Sequence, residues 1–150
     1  IQIIADNDAA LTATDFSAAS ASWKAISGAT GALVAPGTAG TVKYANANSG
    51  TADFTLYRSS GSSFEGITNS TGANPVSAAA LQVLKRHGLY PLASSGLGGD
   101  GFYLDVTGER VPIRGGHWSS AALAGVFALS LLYARSYSYA YLGARPAFVS

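Results

Sequence analysis

The chain has no cysteine and no methionine among its 150 residues. Without cysteine there is no disulfide framework, no thiolate metal site and no thiol nucleophile, and redox chemistry gives no clue to compartment. With no Met even at position 1, the chain reads as processed, trimmed or a fragment of something longer, and no signal-peptide pattern is visible. Charge is scarce too: 11% of residues, against about a quarter in an ordinary domain. The formal net charge is +1, and only Lys85 and Arg86 are adjacent cations. Nucleic acid needs a dense basic patch, so that partner class is excluded. Long apolar runs are also missing. The longest candidate, Ala121 to Ala134, is 14 residues with Gly125 and Ser130 inside it. A spanning helix needs about 20 apolar residues, so the run is expected as a core-forming strand or helix and not as a membrane insertion.

What the chain does have is 48% hydrophobic residues, enough to fill a core, and a length for one domain or two very small ones. Composition shifts near residue 70. Residues 1–72 are rich in Ala, Ser, Thr and Gly and are expected to form a small β-rich module. In it, Phe54, Leu56 and Arg58 alternate, Ser59 to Ser62 turn, and Phe64 and Ile67 follow, which reads as a hairpin. Two more short strands flank a turn at Pro36-Gly37. Phe16, Ala19 and Trp23 fall at helical spacing, with Asp15 as a possible cap and Gly28 as a possible stop.

The clearest helix follows. Asn74 suits an N-cap and Pro75 a first helical position. Val76, Ala80, Val83 and Leu84 form one apolar stripe, Lys85 and Arg86 suit the last turn, and Gly88 is a natural stop. A glycine-rich loop comes next, then strand candidates at 102–106 and 110–113 around a Thr107-Gly108 turn.

Most motifs have plain readings. Gly96, Gly98 and Gly101 fit G-x-G-x-x-G, but no strand precedes them and no helix follows, so a surface loop is expected instead of a phosphate cradle. Asp100, Asp105 and Glu109 match no calcium loop and read as surface carboxylates. His87 suits a helix end. His117, beside Trp118, has no second His or carboxylate near it in sequence, so neither a metal site nor a triad is indicated. No G-x-S-x-G elbow is present. Asn69-Ser70-Thr71 is a glycosylation sequon.

The C-terminal third is different. Tyr133, Arg135, Tyr137, Tyr139 and Tyr141 would share one face of a strand, with Ala134, Ser136, Ser138 and Ala140 on the other. Tyr133, Tyr137 and Tyr141 would also share a helix face. Tyrosine favours strands, and Gly143 and Pro146 close the segment, so a strand or extended loop is expected. Each buried tyrosine needs a partner for its hydroxyl, so a cluster sits more easily at a surface. Tyr, Ser and Ala together also make up adaptable paratopes.

Arg114 to Phe148 resembles the C-terminus of the variable proteins of diversity-generating retroelements, found in bacteria and in phages, where many are tail receptor-binding, tropism-determining proteins. The resemblance lies in Arg114-Gly115-Gly116, Trp118, Gly125 to Leu129, Leu131, Ala134-Arg135-Ser136, Gly143 and Arg145. Ala144 departs from it, since many relatives have an aromatic there. The resemblance implies an α+β fold: a C-type-lectin-like domain over 73–150, preceded by the β-rich assembly or attachment module of 1–72. It implies a scaffold of Arg114, Gly115, Gly116, Trp118, Phe127, Arg135, Gly143 and Arg145. Because Arg135 lies in an otherwise small-residue and tyrosine segment, it is expected to pair with backbone carbonyls or with a carboxylate such as Asp105 or Glu109.

It also implies variable ligand-binding positions at His117, Ser119, Ser120, Leu123, Ser130, Leu132, Tyr133, Tyr137, Tyr139, Ala140 and Tyr141. All eleven hold residues reachable from an AAC codon by replacing adenines. The implied function is recognition of a host-cell surface receptor, protein or glycan, by a non-enzymatic homo-oligomer, a trimer by preference, bound to other virion proteins. No cofactor, metal, nucleic acid or membrane insertion is implied. The implied location is a virion surface, or alternatively a bacterial cell surface. Formylglycine-generating enzymes share the fold and the Arg-Gly-Gly-x-Trp character but need cysteines. The sugar-binding Glu-Pro-Asn and Trp-Asn-Asp motifs of true C-type lectins are absent. The alternative expectation is a virion structural or decoration protein whose tyrosines pack against a neighbouring subunit.

Overall fold

The computed structural model describes residues 4–5, 24–35, 37–46, 50–58, 63–105, 110, 112–134, 136–140 and 142. The described elements are strand-rich, with one α-helix. In chain order they are β1 (Ile4–Ala5), β2 (Ala25–Ile26), β3 (Leu33–Val34), β4 (Lys43–Asn46), β5 (Thr55–Arg58), a 3-10 turn (Phe64–Gly66), β6 (Thr68–Asn69), α1 (Ala78–Arg86), β7 (Phe102–Leu104), β8 (Ile113–Arg114), a 3-10 segment (Trp118–Leu123) and β9 (Leu129–Leu131). The α+β class holds at this level.

Three small sheets result. One has the order β1-β4-β5-β6, with β4 parallel to both β1 and β5, and β5 antiparallel to β6. A second pairs β2 with β3. The third has the order β7-β9-β8, with β9 in the middle, parallel to β7 and antiparallel to β8. Several expectations need correction here. The strand at 55–58 returns through a 3-10 turn, so Phe64 lies in that turn and Thr68–Asn69 supplies the antiparallel partner. The two strand candidates on either side of Pro36-Gly37 form β3, which pairs with β2, and β4, which pairs with β1 and β5; Pro36 itself lies outside the described residues. Ala25–Ile26 is strand, so no helix extends to Gly28; the rest of that helix candidate, 15–23, lies outside the described residues.

The helix begins later than its pattern suggests. Ser77 is the N-cap, its Oγ accepting from the Ala80 N–H at 3.2 Å. Asn74 and Pro75 are pinned outside it. The Asn74 carbonyl accepts the Phe54 N–H (2.7 Å), and its side chain donates to Asp53 (2.9 Å). Val76 is gripped by Asn69 at both its N–H and its carbonyl. The stripe does face inward: Val76, Ala80 and Leu84 are buried. Lys85 and Arg86 lie in the last turn, and Gly88, with φ +65°, ends it.

One core joins both halves of the chain. Ile26, Val42, Tyr44, Leu56, Phe64 and Ile67 pack with Val76, Ala80, Leu84, Leu89, Phe102, Leu104, Leu129 and Leu131. Phe102 meets the rings of Tyr44 (5.8 Å) and Phe64 (6.3 Å). The buried Tyr44 hydroxyl donates to the Leu89 carbonyl. The boundary expected at residue 72 therefore does not separate two cores. Of the apolar run 121–134, only Ala128, Leu129 and Leu131 are buried, so the core-forming expectation holds for its middle alone. No helix among the described residues is long and apolar enough to cross a membrane.

Candidate functional site

The tyrosines gather, but not on a strand. Among the described residues of 132–140, none takes part in a strand pairing. The chain instead turns at Ser136, where the Tyr137 N–H donates to the Ala134 carbonyl (3.0 Å). That turn lays Tyr137 flat on Tyr133, with ring centroids 3.9 Å apart and planes within 11°. Tyr139 continues the series at 6.0 Å and 12°. Tyr133 and Tyr137 are half-buried, while Tyr139 is 56% exposed. Ala140 is exposed and Leu132 half-buried. Tyr141, Arg135, Gly143 and Arg145 lie outside the described residues.

The second group is the segment from Gly115 to Ala128. His117 caps the 3-10 segment: its Nδ1 accepts from the Ser119 N–H (3.3 Å) and lies 2.7 Å from Ser119 Oγ. Ser120 Oγ in turn accepts the His117 N–H (3.2 Å). His117, Ser119 and Ser120 thus come together, and two of these expected contact residues also hold the local turn. Ala121 sits at φ +48°, a left-handed conformation that costs a non-glycine residue energy and reverses the chain. Leu123 is exposed. Ser130 is different from the other expected contact residues. It lies in β9 between buried Leu129 and Leu131, with its Oγ buried and unpartnered among the described residues.

Trp118 departs from its expected role. It is 89% exposed, so within the described chain it is no buried scaffold residue. Val126 is 82% exposed. Both ride on a loop whose frame is made of backbone bonds. The Gly125 N–H donates to the Gly115 carbonyl, Gly115 N–H to Ala128, and Gly101 N–H to Leu123, at 2.9 to 3.3 Å.

Asp100 corrects another expectation. It is 6% exposed, not a surface carboxylate, and its Oδ2 accepts the Phe127 N–H at 2.8 Å. Gly125 packs so closely on this carboxylate that a Cβ there would collide with it. Asp105 pairs with Arg110 (2.6 Å); Arg135 and Glu109, and with them the pairing expected of Arg135, lie outside the described residues. Arg114 is exposed as a residue, but its guanidinium lies over the Phe64 ring (5.3 Å) and donates to the Phe127 carbonyl (3.3 Å). Burial lowers its pKa, partly offset by the Tyr44 phenol. Phe127 is partly buried against the core. Gly115 and Gly116 are exposed at positive φ.

The glycine-rich loop carries Gly96, Gly98 and Gly99 at positive φ and leads into β7, with no helix after it. Asn69, the sequon residue, uses its side-chain amide on both ends of Val76, so a glycan there would cost both bonds. Among the described residues, no three His, Asp or Glu side chains converge to hold a metal. Sequence reasoning missed Asp100, because a carboxylate that grips a distant backbone N–H leaves no side-chain partner to recognise. Comparison with family models, with curated proteins and with solved structures returns no match.

Proposed function

We propose that this chain is a non-enzymatic recognition protein whose C-terminal part displays a diversified contact surface on a C-type-lectin-like scaffold. Its ligand is a host-cell surface receptor, protein or glycan, and its place is the exposed part of a phage particle or, alternatively, a bacterial cell surface. The observation that carries this reading is the stack of Tyr133, Tyr137 and Tyr139, in which Tyr139 is 56% exposed. Stacked rings offer a large, stiff, amphipathic face with little rotamer freedom to lose on contact. Aromatic anchors of this kind carry most of the energy of an interface. Trp118, Leu123 and Val126 add apolar surface on a loop of fixed shape. A patch this small binds weakly alone, so affinity comes from several copies on a homo-oligomer, by preference a trimer, held by other virion proteins. No cofactor enters this reading.

A second reading has its own support. Exposed Trp118 and Val126 are also what a subunit contact covers in a virion structural or decoration protein. One experiment separates the two. The fluorescently labelled chain and its Tyr137→Ser/Tyr139→Ser variant are incubated with a panel of bacterial strains, and both are sedimented in parallel. The recognition reading expects wild type to label some strains, and the variant to lose that labelling while keeping its oligomeric mass. A variant that binds as before places recognition elsewhere. One that loses mass instead favours the structural reading.

A further inference from the structure

Phe127 is held through its backbone by two opposite charges. Its N–H donates to Asp100 Oδ2 at 2.8 Å, and its carbonyl accepts from Arg114 Nη1 at 3.3 Å. Both charged residues rest on Phe64. The Asp100 carbonyl accepts the Phe64 N–H (2.7 Å), and the Arg114 guanidinium lies over the Phe64 ring. Phe64 itself is buried in the core. A rigid base therefore supports both jaws of the clamp. The loop brings no charge to meet them: from Gly115 to Ala134 there is no Asp, Glu, Lys or Arg. What the carboxylate and the guanidinium grip are the two main-chain groups of Phe127, one from each of its flanking peptide units. Gly125 keeps this possible, since any side chain there would push the loop off the carboxylate. The residue just before Phe127 is the exposed Val126, and the loop's other end carries Trp118.

We infer that Asp100 and Arg114 are positioning residues that lock the 115–128 loop in the shape that presents Trp118 and Val126. What they set is the order of this loop, while the core stands without them. The inference rests on the recognition reading for the loop's purpose only. The lock itself is measurable without a ligand.

Amide hydrogen exchange on the full chain tests it, because exchange resolves local opening from global unfolding. Asp100→Ala is expected to speed exchange at Phe127 and Ala128 at least tenfold, with Leu84 in α1 changed less than threefold. Unchanged protection at Phe127 would overturn the inference. So would acceleration at Leu84 by the same factor, which would make Asp100 a support of the whole core. Gly125→Ala, which attacks the same contact from the loop side, is expected to give the same local pattern, and it decides the matter if Asp100→Ala does not fold. A chain that unfolds with both substitutions also overturns the proposal. Loss of bacterial labelling by the tyrosine variant bears only on the recognition reading, so the two can fail separately.

Discussion

Asn69 treats Val76 as a neighbouring strand would. Its Nδ2 donates to the Val76 carbonyl (2.8 Å), and its Oδ1 accepts the Val76 N–H (3.0 Å). One side chain thus satisfies both backbone groups of a buried residue just ahead of α1. Asn69→Ala leaves both groups without partners. Each unsatisfied group costs roughly 1–3 kcal/mol, so a loss of about 2–6 kcal/mol is expected in urea unfolding. Asn69→Asp keeps only the acceptor and should fall between the two.

Alkaline pH should destabilise the fold. Burial raises the pKa of Tyr44, and also that of Tyr90. An unfolded tyrosine ionises near about 10. Above that pH the unfolded chain releases protons that the folded chain keeps, so stability falls as pH rises. For the fully buried Tyr44 the slope approaches about 1.4 kcal/mol per pH unit, and Tyr90 adds in the same direction. Urea midpoints measured between pH 9 and pH 11 should show the fall, and Tyr44→Phe should make it shallower. The same substitution removes the hydroxyl bonded to the Leu89 carbonyl, so its stability at pH 7 should be lower than wild type.

Trp118 should report solvent. In a Trp23→Phe background, its emission should lie at the red end of the indole range and iodide should quench it readily. Trp118→Ala should change stability by under about 0.5 kcal/mol, as truncation of an exposed side chain does. Quenching that rises on dilution would mean that a second subunit covers the indole at high concentration.

The tyrosine stack should be graded from its middle outward. Tyr137 stacks with both Tyr133 and Tyr139 and is half-buried, whereas Tyr139 is 56% exposed. Aromatic pairs contribute about 0.5–1.5 kcal/mol beyond burial. Tyr137→Ala should therefore cost about 1–3 kcal/mol in thermal melting and Tyr139→Ala clearly less. Equal costs would mean that the rings do not stack in solution.

Parts of this architecture are legible in the sequence. The apolar stripe of Val76, Ala80 and Leu84, the basic last turn and Gly88 all mark α1. Its start is not legible. Asn74 has the chemistry of a cap, but Asp53 and Phe54 claim it first, from 20 residues upstream or more. The tyrosine alternation suggests a strand. A strand needs a neighbour to pair with, and here a turn at Ser136 brings the rings together instead. Asp100 is the hardest case. Its partner is a main-chain N–H 27 residues away, and every residue except proline has one.

The shared core also limits how portable the C-terminal half is. The Leu89 carbonyl has its donor in Tyr44, and Phe102 lies against the rings of Tyr44 and Phe64. A fragment cut at residue 73 would carry the loop and the tyrosines away from the wall they lean on. Grafting this surface onto a new carrier would mean taking 24–72 along. The plain, alanine-rich first half is then the mould in which the second half keeps its form.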